Sequence, residues 1–197
     1  MECGASADET QRNNSVIRVL VASPLYVSAD KKDSVKGSKG LLATTLAIDI
    51  INNKTDGFFD DLLPNTSIVY EYYDTGKSVE TASKLAIDAV SNAFDGEGAD
   101  IVLGTASSDT STILASILSI YKVPMISPSS RYELLTSYNN FMRTIPSNSL
   151  LAKGISALAK DIGWGAACVI HGSDEYSKAG ASSIINALYA DELELLG

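Results

Sequence analysis

The residues best equipped for chemistry gather in one short stretch. Gly104-Thr105-Ala106-Ser107-Ser108-Asp109-Thr110-Ser111 is a hydroxyl-rich turn that runs into apolar residues at helical spacing. A helix beginning in such a turn offers free N–H groups and the positive end of its dipole, so a small carboxylate is a fitting guest. The plainer use of the same residues is a helix cap supplied by Ser107, Ser108 or Asp109, and the Asp109 charge competes with any anion for that terminus. Cys3, Cys168 and the single His171 are too few soft ligands for a closed zinc site, so no metal is expected. Hydrolysis by a Ser-His-Asp set would have to use His171, yet the chain holds no G-x-S-x-G elbow. Neither G-x-G-x-x-G nor G-x-x-x-x-G-K-[ST] occurs, which removes NAD and ATP readings. No enzyme and no cofactor are expected.

Composition narrows the field further. The 197 residues are 45% hydrophobic and 20% charged, enough to bury a core in one compact domain or one and a fraction. The net charge is −9 without any basic block, so neutralising a phosphate backbone is not its task and no nucleic-acid partner is expected. The longest apolar runs, such as Ile113–Ile120, are broken by Ser and fall far short of the roughly 20 residues that cross a bilayer. Residues 1–15 are polar and read as a disordered lead-in, without the apolar region of a signal peptide. Three glycosylation acceptor triplets begin at Asn13, Asn53 and Asn65, in weak agreement with a secreted setting.

The elements that position these residues alternate along the chain. Val16–Ala22 is an almost unbroken β-branched run, the pattern of a strand buried on both faces of a parallel sheet. Ala43, Leu46, Ala47, Ile50 and Ile51 then recur at helical spacing, ending near Asn52. Ser67–Tyr73 is a second strand, in which Tyr70 and Tyr72 share one face and Tyr73 takes the other. A helix over Val79–Ala93, a strand at Ile101–Leu103, a helix over Ile113–Tyr121 and a strand at Val123–Ser127 continue the rhythm. Ser129–Asn148 interrupts it and is expected to hold a strand crossing between two lobes. A helix over Leu151–Ala159, a strand at Ala166–Ile170 and a helix over Ala181–Leu188 close the series; in that strand Cys168 and His171 would point to opposite faces and could not share a metal. The alternation predicts an α/β fold with a doubly wound parallel sheet, whose ligands bind at the carboxyl ends of the strands.

Several segments, in this order and spacing, resemble the receptor-family ligand-binding region. They are Ala47–Asn52, Tyr73-Asp74-Thr75, Gly104 with Ser107-Ser108, Val123–Ser130, Phe141–Ser147, Gly163-Trp164 and Ile170–Tyr176. This is the type I periplasmic-binding or Venus-flytrap module of class C G-protein-coupled receptors, natriuretic-peptide receptors and bacterial amino-acid-binding proteins. The resemblance implies two lobes closing on a small ligand, with lobe one at 16–146 nearly complete and 147–197 a truncated start of lobe two, so the chain reads as a fragment. Ser108 matches the lobe-one serine that holds the carboxylate or amino group of an amino-acid ligand. Ser129 matches a position offering backbone contacts, and Tyr176 a cleft-lining tyrosine of lobe two. Arg131 stands where the family has a ligand-binding Thr, and is expected to pair with a carboxylate. A basic or aromatic residue before the first helix falls near Lys36 to Gly40. The implied function is the extracellular ligand-binding portion of a membrane receptor, taking a small polar ligand such as an amino acid. The membrane would be reached only through segments outside this chain, and a homodimer could form through lobe one. The alternatives are a solute-binding protein of an amino-acid ABC transporter, placed in the periplasm or anchored at Cys3 as a cell-surface lipoprotein, and a family relic that binds nothing.

Overall fold

The computed structural model describes residues 15–25, 35–76 and 78–196. The lead-in apart from Ser15, Cys3, the Asn13 triplet, most of the loop between the first strand and first helix, and the Lys36 side chain lie outside the described residues.

Five parallel strands form the main sheet: β1 (Ser15–Ser23), β2 (Thr66–Asp74), β3 (Ile101–Gly104), β4 (Met125–Ser127) and β5 (Phe141–Arg143), in the order β2-β1-β3-β4-β5. Its helices are α1 (Val35–Asn52), α2 (Val79–Ser91) and α3 (Ser108–Ile120). The β-branched run of β1 earns its place between two partners, since a strand buried on both faces gains on both. Leu20 and Ala22 pack with Ala82, Leu85, Ala89, Val102 and Leu114 under α2 and α3. By alternation Val19 and Val21 face the other side, toward α1. The tyrosines of β2 divide as their spacing predicts: Tyr73 joins the core beneath α2, while the Tyr72 hydroxyl donates to the Ser23 carbonyl at 2.6 Å.

Strand β2 lies at an edge, where unpaired backbone groups invite another chain. The Asn52 side chain, at the end of α1, answers part of that exposure. Its Nδ2 donates to the Ile68 carbonyl and its Oδ1 accepts the Ile68 N–H, both at 2.8 Å, so one amide stands in for a missing strand.

The stretch from Ser129 to Asn148 differs from expectation. It folds a 3-10 turn at Glu133–Ser137 and then supplies β5, which pairs with β4 as the fifth strand of the same sheet. The second half of the chain holds α4 (Asn148–Asp161), β6 (Ala166–Ala167), α5 (Glu175–Ala190) and β7 (Glu194–Leu195). Strand β6 is shorter than the predicted Ala166–Ile170 because its partner β7 offers only two residues, so Cys168 and His171 lie beyond it and the argument from opposite faces does not apply to them. Ala159, Leu188 and Leu193 form a separate small core. Helices α4 and α5 run side by side, joined where the Ser156 hydroxyl meets the Ala187 carbonyl at 3.0 Å and the Asp191 carboxylate at 2.7 Å.

Candidate ligand-binding site

The carboxyl ends of β3 and β4 carry adjoining loops, and hydroxyl groups weld them together. Thr105 Oγ1 lies 2.5 Å from Thr110 Oγ1 and 3.0 Å from Ser111 Oγ, and Ser111 Oγ lies 2.6 Å from Ser130 Oγ. Ser127 Oγ donates to the Thr105 carbonyl at 2.8 Å and accepts the Ser130 N–H at 3.0 Å. All five of these residues are fully buried. Most of the hydroxyl-rich turn therefore serves structure: buried hydroxyls need partners, and here they find each other.

Ser108 is the exception. It is 7% exposed, and its hydroxyl has no partner among the described residues. Ser107, the residue preceding α3, forms no side-chain cap, and the N–H groups of Ser108, Asp109 and Thr110 meet no acceptor among the described residues. The capping role open to Ser107, Ser108 and Asp109 is thus not taken up. Helices α2, α4 and α5, by contrast, are each capped, by Ser78, Ser147 and Asp174. The start of α3 presents a hydroxyl, bare N–H groups and a positive dipole end together, with the exposed Asp109 in the same turn as the one opposing charge.

Ser129 sits beside this turn. Its Oγ donates to the Thr105 carbonyl at 3.3 Å and its N–H to Ser127 Oγ at 3.3 Å, so its own carbonyl is the group left for another molecule. Arg131 follows, half-buried, with a guanidinium that pairs with no described residue. The Arg131 carbonyl accepts the Asn148 N–H at 2.9 Å, and the Glu133 carboxylate accepts the Ser149 N–H at 3.3 Å. The segment after β4 thereby caps α4 from outside it. Burial alone would raise the Glu133 pKa, but hydrogen bonds from Ser149 and Ser147 and the nearby Arg143 charge outweigh it and hold the carboxyl below its ordinary range.

Ser108, Ser129 and Arg131 therefore share one end of the sheet, while Tyr176 stands apart in the first turn of α5, 45% exposed. Gly180, about one turn along α5, packs by Asn148, where an added Cβ would lie 3.9 Å from Asn148 Nδ2. Asn148 was not singled out in the sequence. It is 6% exposed and its Nδ2 has no partner among the described residues. Ser147 just before it marks a helix start in the sequence, but nothing in the local pattern marks the amide as unpaired.

In a doubly wound parallel sheet the loops at the carboxyl ends of the strands are the usual place for a ligand, and the uncapped start of α3 lies among them. The chain matches the receptor family ligand binding region over residues 39–195 and belongs to that family. It is 27% identical to Taste receptor type 1 member 3 of Homo sapiens over 172 residues, which are 80% of this chain and 20% of that receptor. It is 27% identical to the Extracellular calcium-sensing receptor of Homo sapiens over 162 residues, 74% of this chain and 15% of the receptor. An ABC transporter substrate-binding protein from Desulfitobacterium hafniense, solved in complex with Leu, shares the fold with a TM-score of 0.71 at 20% identity, over 92% of this chain and 50% of that one. The chain thus spans a fifth or less of the receptors' length and half of the binding protein's. No helix among the described residues is long and apolar enough to cross a membrane.

Proposed function

We propose that this chain is the ligand-binding portion of a membrane receptor on the extracellular face, and that it holds a small polar ligand such as an amino acid by a carboxylate at the start of α3. The observation that carries the reading is the Ser108 hydroxyl, without a partner among the described residues on a residue only 7% exposed, beside the uncapped N–H groups of that helix. In this reading residues 16–146 are the first lobe and 147–197 open the second. Ser108 donates to one carboxylate oxygen and the α3 N–H groups to the other. The Ser129 carbonyl accepts from the ligand, Arg131 adds a charge-assisted bond, and Tyr176 approaches with the second lobe. A ligand that prefers the closed arrangement shifts an open-closed equilibrium, which a membrane segment outside this chain would report.

Titration calorimetry with a panel of amino acids and organic acids tests the assignment. Ser108→Ala is expected to weaken binding about tenfold, the worth of one hydrogen bond to a charged group. Unchanged affinity in that variant would overturn it. A second copy is the other partner this reading includes, and the apolar side chains of Leu42 and Leu46, 70% and 58% exposed on α1, are suited to meet it. The alternative, a solute-binding protein that serves a transporter, draws on the shared fold and would place the chain in the periplasm or at the cell surface. The receptors named above align by sequence, which favours the first reading. A chain that binds no member of the panel would be the family relic.

A further inference from the structure

Two of the three glycosylation acceptor triplets fall among the described residues, and the fold treats them differently. Asn53-Lys54-Thr55 directly follows α1, with Asn53 and Thr55 both exposed. The Thr55 hydroxyl and the Thr55 N–H donate to Asn53 Oδ1 at 3.0 and 3.2 Å, and Asn53 Nδ2 donates to Asp56 Oδ2 at 3.1 Å. A backbone N–H can only donate, so the amide has its oxygen toward Thr55 and its nitrogen toward the Asp56 carboxylate. Two donors on the oxygen draw electrons out of the carboxamide, which makes its nitrogen give up a proton more readily. Each of these bonds spans two or three residues, so the turn forms from its own sequence without waiting for a distant strand. Asn65-Thr66-Ser67 instead lies where the chain enters β2. The Asn65 carbonyl accepts the Ser15 N–H at 3.1 Å, the Thr66 and Ser15 hydroxyls meet at 2.6 Å, and Ser67 pairs with Val16 in the ladder. Strand β1 precedes this triplet, so the partner that draws it into extended form is already present when it emerges. Its third residue is also a serine, whose hydroxyl turns more freely than that of β-branched Thr55.

We propose that Asn53 is a site of N-linked glycosylation and that Asn65 is passed over. The inference rests on the extracellular placement above, since it requires a secretory compartment that supplies an oligosaccharyltransferase and a lipid-linked oligosaccharyl diphosphate. In the transfer, Asn53 Nδ2 forms a bond to the anomeric carbon of the sugar while the bond from that carbon to the diphosphate oxygen breaks. The nitrogen loses one proton to a base of the transferase, and the lipid diphosphate leaves with the electron pair. The Asn53 side chain hydrogen-bonds only within its own turn, so a glycan there displaces no contact between elements.

The test expresses the whole chain behind a cleavable secretory leader in cultured mammalian cells, with Asn13→Gln so that only the two described triplets can accept. Mass is read before and after digestion with a peptide N-glycosidase. The glycan is attached during entry into the compartment, so retained and secreted protein both report it. One glycan is expected, kept in Asn65→Gln and lost in Asn53→Gln. It should also be lost in Thr55→Val, which keeps the shape of the side chain without its hydroxyl. No glycan, a second glycan, or loss of the glycan in Asn65→Gln would overturn the assignment, and a glycan kept in Thr55→Val would overturn the part given to the hydroxyl. The leader imposes the secretory route, so an unmodified chain counts against Asn53 and not against the extracellular placement. That placement fails separately, if the protein in intact cells of its source is protected from a protease added outside.

Discussion

Gly104 shows how little room the end of β3 leaves. Its φ is +134°, and a Cβ there would stand 1.9 Å from the Ala22 carbonyl oxygen of the neighbouring strand. Only glycine meets both conditions. Gly104→Ala is expected to cost about 3 kcal/mol or more, read as a fall in melting temperature. Thr105, the next residue, is the hub of the buried hydroxyl cluster. Thr105→Val keeps the shape but leaves Thr110 and Ser111 each short of a partner, for an expected loss of about 1–3 kcal/mol in denaturant unfolding. These residues also mark what local sequence could reveal about the site. A run of hydroxyls leading into a helix was visible from Thr105 to Ser111. Which of them stays free was not, because Ser127 and Ser130, 19 to 25 residues further on, decide it by engaging Thr105 and Ser111 and passing over Ser108.

At the scale of elements, the start of α4 is held by the segment that follows β4. The folded Glu133 carboxyl is depressed below its ordinary range, so its contribution is present above the unfolded value, about 4.3, and is lost as pH falls through the lower folded value. The group is largely exposed, which keeps the stability effect small, but the local signal is direct. The Ser149 amide proton resonance is expected to titrate on the acid side of that value and to stay flat in Glu133→Gln. Long periodic elements such as β1 and α2 were legible because burial acts on every second or every third and fourth residue. Strand β5 was legible as a strand but not as a member of the main sheet, since Phe-Met-Arg carries no alternation to show which partner it joins. Strand β7, two residues long, has no period at all, and the predicted end of β6 at Ile170 overlooked that a strand extends only as far as its partner.

The molecule as a whole is uneven. The main sheet has helices on both faces and a continuous core, whereas α4 and α5 cover a two-stranded ribbon and leave Leu150 and Leu158 on α4, and Ile162 just after it, exposed. Local opening costs least where few apolar contacts must break. Amide exchange is therefore expected to be slow in β1, β3 and α3 and fast beyond Ser147, and uniform protection through Leu196 would contradict this account.

The placement of β1 also bears on how the chain is made. Its contacts with the segment before β3 and with the start of β2 span 82 and 51 residues. On a translating ribosome one side of this apolar strand stays open after β2 has docked, and it closes only when Ile101–Gly104 clears the exit tunnel a few seconds later. During that interval the nascent protein displays one edge of β1 unpaired, so a chaperone that meets the emerging chain has that edge to protect until β3 follows.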